Sequence, residues 1–324
     1  MELLAVENLR VYYQTLRGDV KAVDGVTFSM SPGEIMGLAG ESGCGKSTLG
    51  RSLVLLKPPM KYVGGKVLLK GTPLPIWDKK TMASFRFSEV SLIPQYALSA
   101  LNPTRKVKKL LTDILWSKGI KFSQIFPELR RRMELVELPL EVLNMYPFEL
   151  SGGMKQRMVM VLSTLLNPSL LIADEVTSAL DVSTQKAVAR MLVEFRDRKF
   201  VGAIIVITHD ISLLYQIADS IFVMYAGKLM ERGSTEDLIQ RPKHPYTQLL
   251  VASLPRIGAR YAQEKLQGIP GCPPSLLEPP QGCRFRTRCP RTWEKCLEEP
   301  PLVTTKDGDL TWQVACWLAV DKHA

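Results

Sequence analysis

Ile35-Met36-Gly37-Leu38-Ala39 runs straight into Gly40-Glu41-Ser42-Gly43-Cys44-Gly45-Lys46-Ser47-Thr48, and this junction decides the fold. The first stretch is short and apolar, the signature of a buried strand. The second fits G-x-x-x-x-G-K-[ST]. From Lys46 onward Leu49, Leu53 and Leu56 are spaced for one helical face, and Pro58-Pro59 closes the pattern. A glycine-rich turn between a strand and a helix is a phosphate site for a physical reason. Its glycines let backbone N–H groups converge on phosphate oxygens, and the helix N-terminus adds its positive end. Gly40, Ser42, Gly43, Gly45 and Thr48 belong to that cradle, with Cys44 as a small filler. Lys46 supplies a mobile charge for the β- and γ-phosphates of ATP, and the Ser47 hydroxyl is a ligand for Mg²⁺.

Outward from this loop, strand and helix patterns alternate. Val20 to Met30 reads as strand and ends in the turn Ser31-Pro32-Gly33-Glu34. Val67-Leu68-Leu69 and Val90-Ser91-Leu92-Ile93 read as further strands. Residues 104–147 are helical in composition, and another helix starts near Gly153 and stops before Asn167-Pro168. Strand Leu170 to Ala173, helix Val182 to Arg198 and strand Ala203 to Thr208 then make a βαβ unit. An α/β fold with a parallel, helix-covered sheet follows. Asp174 and Glu175 end one of its strands at the edge where such sheets bind ligands. Asp174 is placed to hold Mg²⁺, and Glu175 to polarise an attacking water, a role worth about 10²–10⁴ in rate.

Composition sets the limits. The 324 residues suffice for one large core and a second small domain, and 46% hydrophobic with 23% charged residues is ordinary for a globular protein. No apolar run reaches the length of a membrane span. Met1-Glu2-Leu3-Leu4 lacks the pattern of a signal peptide. The expectation is a chain on the cytoplasmic face of the membrane, attached only through partners. Net charge is +10, and residues 105–132 hold nine basic side chains against Asp113 and Glu128. Such a stretch is a solvated helical surface or one turned to anionic headgroups or an acidic partner.

Leu150-Ser151-Gly152-Gly153-Met154-Lys155-Gln156-Arg157 resembles the signature sequence of ABC-type ATPases. The resemblance implies a P-loop NTPase fold of ABC type. Its parts are a mixed or parallel sheet core, an antiparallel β subdomain, and a helical subdomain at about 97–167. It further implies that Ser151, Gly152 and Gly153 meet the γ-phosphate held by a second subunit. Gln95 resembles the Q-loop glutamine that contacts Mg²⁺, and Ser178-Ala179-Leu180-Asp181 the D-loop. His209 resembles the switch histidine, and Tyr13 the aromatic residue that stacks on adenine, with Tyr12 as its neighbour. Pro242-Lys243-His244-Pro245-Tyr246 and Gly282-Cys283-Arg284-Phe285 resemble the oligopeptide/dipeptide importer branch, in its D-type subunit. Two departures stand out: Val176 where the family usually has Pro, and Phe148 where it usually has His. The loop after Glu175 is therefore expected to be less stiff.

The division implied is an ATPase domain over 1–240 and a small cysteine-rich domain over 241–324. Residues 270–301 contain eight prolines, too many for regular structure. Cys283, Cys289, Cys296 and Cys316 lack Cys-x-x-Cys spacing, and the resemblance implies that they hold a [4Fe–4S] cluster. Arg284, Arg286, Arg288 and Arg291 sit among them to offset its negative charge. A Cys₄ zinc staple is the alternative. The expected function is ATP hydrolysis that powers import of di- or oligopeptides, with oligosaccharide or nickel chelate as alternative solutes. The expected partners are a paralogous ATPase in a heterodimer, two transmembrane permease subunits and, indirectly, an extracytoplasmic solute-binding protein. A soluble ABC ATPase acting on nucleic acid is the contrasting class. A missing second cassette and coiled-coil insertion speak against it.

Overall fold

The computed structural model describes residues 2–95, 100–178, 180–254, 268–307 and 310–320. Strands β1 (Leu4–Thr15), β2 (Gly18–Met30), β4 (Met60–Leu69) and β5 (Thr72–Pro73) form an antiparallel sheet in the order β2-β1-β4-β5. The main sheet is built on β3 (Ile35–Ala39). Its other strands are β6 (Val90–Ile93), β7 (Leu170–Asp174), β8 (Ala203–Ile207), β9 (Ser220–Tyr225) and β10 (Lys228–Ser234), with β11 (Val303–Asp307) and β12 (Leu310–Val314) added at one edge. The order is β11-β12-β10-β9-β3-β8-β7-β6. It is parallel from β6 to β9 and antiparallel beyond.

Why the parallel strands read as unbroken apolar runs is visible in the packing. Met36, Leu38, Ile205, Ile207, Phe222 and Met224 face a core shared with the antiparallel sheet. Their alternates Ile35, Ala39, Ile204, Val206, Ile221 and Val223 face the helices. Both faces are covered, so the period of two has no polar half to reveal it. Each such side chain stabilises by about 1.5–3 kcal/mol relative to exposure. Phe28 meets Phe222 edge-on at 5.2 Å and joins the two sheets.

Helix α1 (Lys46–Ser52) follows the phosphate loop and stops short of Pro58. Leu49 and Leu53 are buried as expected, whereas Leu56 lies beyond the helix and is half-buried. The short helix α2 (Lys79–Phe85) follows β5. The stretch 104–147 breaks into α3 (Val107–Trp116), α4 (Phe122–Leu135) and two 3₁₀ turns, Leu140–Asn144 and Pro147–Glu149. Then come α5 (Gly152–Thr164), α6 (Val182–Asp197), α7 (Ile211–Ile217), α8 (Thr235–Gln240), α9 (Pro245–Ala252) and α10 (Trp317–Val320). No helix among the described residues is long and apolar enough to cross a membrane.

The basic stretch is largely engaged within the fold. Arg105 and Lys109 pair with Asp113, Arg130 with Glu134, and Lys118 donates to the carbonyls of Ala83 and Ser84. Arg132 is wholly buried, bonded to Glu128, Asn167 and the Thr164 carbonyl. These contacts favour the reading as an ordinary helical surface.

The proline-rich stretch carries one 3₁₀ turn, Glu294–Leu297, as its composition demands. The C-terminal segment also packs into the ATPase core. The buried Glu231 carboxylate of β10 accepts from Trp312 Nε1 at 2.8 Å and from the backbone N–H groups of Lys243 and His244. Tyr225, Tyr246 and Phe285 form one aromatic cluster with centroids 4.6–5.2 Å apart. β11 and β12 extend the main sheet, a pairing that no local pattern in the sequence announces.

Candidate active site

The phosphate loop turns between β3 and α1, and two of its glycines are required by close approach. A Cβ on Gly40 would lie 2.1 Å from the Met224 carbonyl oxygen, and one on Gly45 1.9 Å from that of Ala22. Both have positive φ, 141° and 106°. Lys46 is buried, and its ammonium donates to the Gly40 and Glu41 carbonyls at 2.7 and 2.9 Å. Cys44 is buried under the loop with Sγ 3.7 Å from that ammonium, and burial raises its pKa. Gly43 and Ser42 line the outer turn. Thr48, in the first turn of α1, lies 3.0 Å from the Tyr13 hydroxyl. The neighbouring Tyr12 instead donates to Asp24, so Tyr13 is the tyrosine beside the loop.

At the end of β7 the fully buried Asp174 accepts from Ser47 Oγ at 2.7 Å and from Arg51 Nε at 2.9 Å. The next residue, Glu175, has φ 49°, a strained value for a side chain with a Cβ. That twist turns its carboxylate to Gln95, whose amide donates to it at 2.6 Å, and toward His209, with Nδ1 3.9 Å away. Hydroxyl, carboxylate and carboxamide oxygens from Ser47, Asp174 and Gln95 form a donor set suited to Mg²⁺. Thus Lys46, Ser47, Gln95, Asp174, Glu175 and His209, drawn from three strand ends and one helix, share one site.

Other expected residues stand apart. Ser151 caps α5, its Oγ accepting from Met154 N–H at 3.3 Å, and the space beside Gly153 is open. Among the described residues no hydrogen bond joins Ser151, Gly152 or Gly153 to the phosphate loop. Asp181 caps α6, accepting from Ser183 and Thr184 N–H at 3.0 Å each. These bonds, the Ser183 hydroxyl first, hold its pKa well below the usual carboxylate range. Ala179 lies outside the described residues. Val176 is buried, and its carbonyl accepts from Gln156, so packing and a hydrogen bond fix this loop where a proline ring is missing. Phe148 is exposed and stacks on Tyr146 at 5.5 Å.

Sequence reasoning missed Arg51 and Gln156. Arg51 had a signal, since it lies four residues after Ser47 on the same helical face. Gln156 was legible only as part of the signature.

Cys283, Cys289, Cys296 and Cys316 line one small cavity with His244, Trp293 and Trp317, and the exposed Cys272 is not among its lining residues. Burial pushes the Cys283 thiol up to about 11 and raises Cys289 and Cys316. Among the described residues no group of three or more His, Cys, Asp or Glu is arranged to hold a metal ion. Arg291 lines this cavity, but Arg284 and Arg288 are turned to Asp24 and Glu41, and Arg286 donates to the Gln281 carbonyl. Of the four arginines expected to offset a cluster's charge, three are thus bonded to other groups.

Phosphate loop, paired carboxylates, Q-loop glutamine and a Ser-Gly-Gly helix start on this fold define an ABC-type transporter ATPase. Residues 23–178 match the ABC transporter family, and residues 230–296 match the oligopeptide/dipeptide transporter C-terminal region. The chain is 38% identical to the dipeptide transport ATP-binding protein DppD of Caldanaerobacter subterraneus subsp. tengcongensis, covering 98% of this chain and 97% of that one. It is also 38% identical to the oligopeptide transport ATP-binding protein OppD of Salmonella typhimurium, covering 99% and 95%. The chain belongs to this family of dipeptide and oligopeptide transport ATP-binding proteins. The dimeric structure of a bacterial ABC transporter cassette shares the fold, with TM-score 0.62 at 22% identity over 72% of this chain and 98% of that one. So does cbiO1 from Clostridium perfringens, with TM-score 0.62 at 22% identity over 74% and 91%.

Proposed function

We propose that this chain hydrolyses ATP to drive di- or oligopeptide import at the cytoplasmic face of a membrane, as half of a heterodimer with a paralogous cassette. The observation that carries the reading is the joint placement of Lys46, Ser47, Asp174, Gln95, Glu175 and His209 at one edge of the sheet. Lys46 and the loop N–H groups bind the phosphates, with Tyr13 beside the adenine. Glu175 takes up the proton of the attacking water, and Gln95 and His209 orient the two. Ser47, Asp174 and Gln95 would hold Mg²⁺, which offsets phosphate charge when bound. Among the described residues the Ser151-capped start of α5 makes no hydrogen bond to this chain's own phosphate loop, which supports completion of the site by a second cassette.

An apolar groove between the core and the helical subdomain, lined by Leu55, Phe87, Leu92, Leu101, Leu110 and Ile114, suits a helix of a permease subunit. Peptide as the solute rests on the relatives' names. A solute-binding protein enters only through the permeases.

The four-cysteine cavity is read as a [4Fe–4S] site. Its support is the family resemblance together with the four thiols lining one cavity. The cluster would be structural, tying the loop 283–296 to the segment after β12.

The test is reconstitution in liposomes with partner cassette and permeases. ATP-dependent uptake of labelled peptide, and negligible turnover by this chain alone, are expected. Uptake of a sugar or nickel chelate instead of peptide would reassign the solute. Anaerobic purification should give about four irons per chain, and one zinc without iron would overturn the cluster.

A further inference from the structure

Glu41 of the phosphate loop is held from two sides. Inside the loop its carbonyl accepts from Lys46 at 2.9 Å and from the Cys44 N–H at 3.3 Å. From outside, its N–H donates to the Tyr246 hydroxyl at 2.9 Å. Its carboxylate receives both prongs of Arg288, Nη1 to Oε2 at 2.6 Å and Nη2 to Oε1 at 3.0 Å. The other N–H groups of Arg288 go to the Pro270 carbonyl at 2.7 Å, the Tyr225 hydroxyl at 3.2 Å and the Ile269 carbonyl at 3.1 Å. All five guanidinium donors are thus matched, and the side chain is 4% exposed. A two-pronged pair in that setting fixes geometry as a surface pair does not.

We propose that Arg288 is a positioning residue for ATP, acting on the phosphate loop through Glu41. It fixes the residue whose carbonyl, with that of Gly40, supports the Lys46 ammonium. It also neutralises a carboxylate on the loop that receives a polyphosphate. The lysine trades carbonyl contacts for phosphate oxygens when nucleotide arrives, so the placement of those carbonyls sets the ease of the exchange. Affinity for ATP then depends on a segment 247 residues further along the chain. The chemical step at Glu175 does not.

Steady-state hydrolysis by the assembled transporter, with ATP varied, tests this. Arg288→Met leaves Glu41 unpaired and should raise KM about tenfold with kcat within about twofold. Glu41→Gln combined with Arg288→Met removes charge and partner together, and should return KM to within about threefold of the parent. Arg288→Lys keeps the charge without the fork and should lie between. Should Arg288→Met fold poorly, the lysine variant carries the test by its own rise in KM. An unchanged KM in the folded variants, a fall in kcat alone, or a double variant no better than the single overturns the proposal. A parent complex that hydrolyses no ATP would instead refute the ATPase reading.

Discussion

The side-chain amide of Gln95 donates to the Glu175 carboxylate at 2.6 Å, which ties the residues just past β6 and β7 to each other. Glu175 stands at φ 49°, and its N–H is bonded to the Ile207 carbonyl at 2.8 Å, so β8 enforces the strained turn.

Glu175→Gln keeps the volume and the bond to Gln95 but removes the base. Turnover of the assembled complex should fall by about 10²–10⁴, with ATP binding retained. A variant that hydrolyses ATP at the parent rate would show that another group accepts the proton.

Asp174→Asn removes the buried charge that faces Ser47 and Arg51. The Mg²⁺ concentration for half-maximal hydrolysis should rise by about 10–100-fold. Titration of activity against Mg²⁺ at fixed ATP reads this directly. No shift would place the metal on other oxygens.

Arg132 is fully buried, with Phe200 4.0 Å from its guanidinium, and burial lowers its pKa. Arg132→Met strands Glu128, Asn167 and the Thr164 carbonyl and should destabilise the protein by about 3 kcal/mol. Arg130→Met, which breaks only an exposed pair with Glu134, should stay within about 1 kcal/mol of the parent. Denaturant midpoints for the two variants supply the comparison.

Asp181 holds the first turn of α6. Its depressed pKa means that the cap is present above the ordinary carboxylate range and is lost as pH falls through the lower folded value. Asp181→Ala should speed amide exchange at Ser183 and Thr184 at neutral pH, and Asp181→Asn, itself a good cap, much less. Equal exchange in the alanine variant and the parent would leave the cap without a role.

The phosphate loop, the strand ending in Asp174-Glu175 and the helix opening at Ser151 were legible because each is local. Glycine placement, an apolar run and a capping hydroxyl carry their geometry within a few residues. The limits of α1 and the break between α3 and α4 were less so. Helix ends there depend on packing, and Leu56 reaches the edge of the core from beyond the helix rather than from its face. The partners of the arginines that sit among the cysteines were hidden for a related reason. Arg284 and Arg288 found carboxylates in the ATPase core, at Asp24 and Glu41, that no spacing rule connects to them.

The amino-acid sequence by itself determined the nucleotide loop, the strand ending in two carboxylates and the helix opening at Ser151, all written as short-range patterns. Only the tertiary structure decided how the C-terminal segment is joined to them. β12 pairs with β10, Trp312 bonds to the buried Glu231, and Arg288 grips Glu41. Those partners lie far apart along the chain, and burial of unpaired charge is what selects them, a cost that appears only when the core closes.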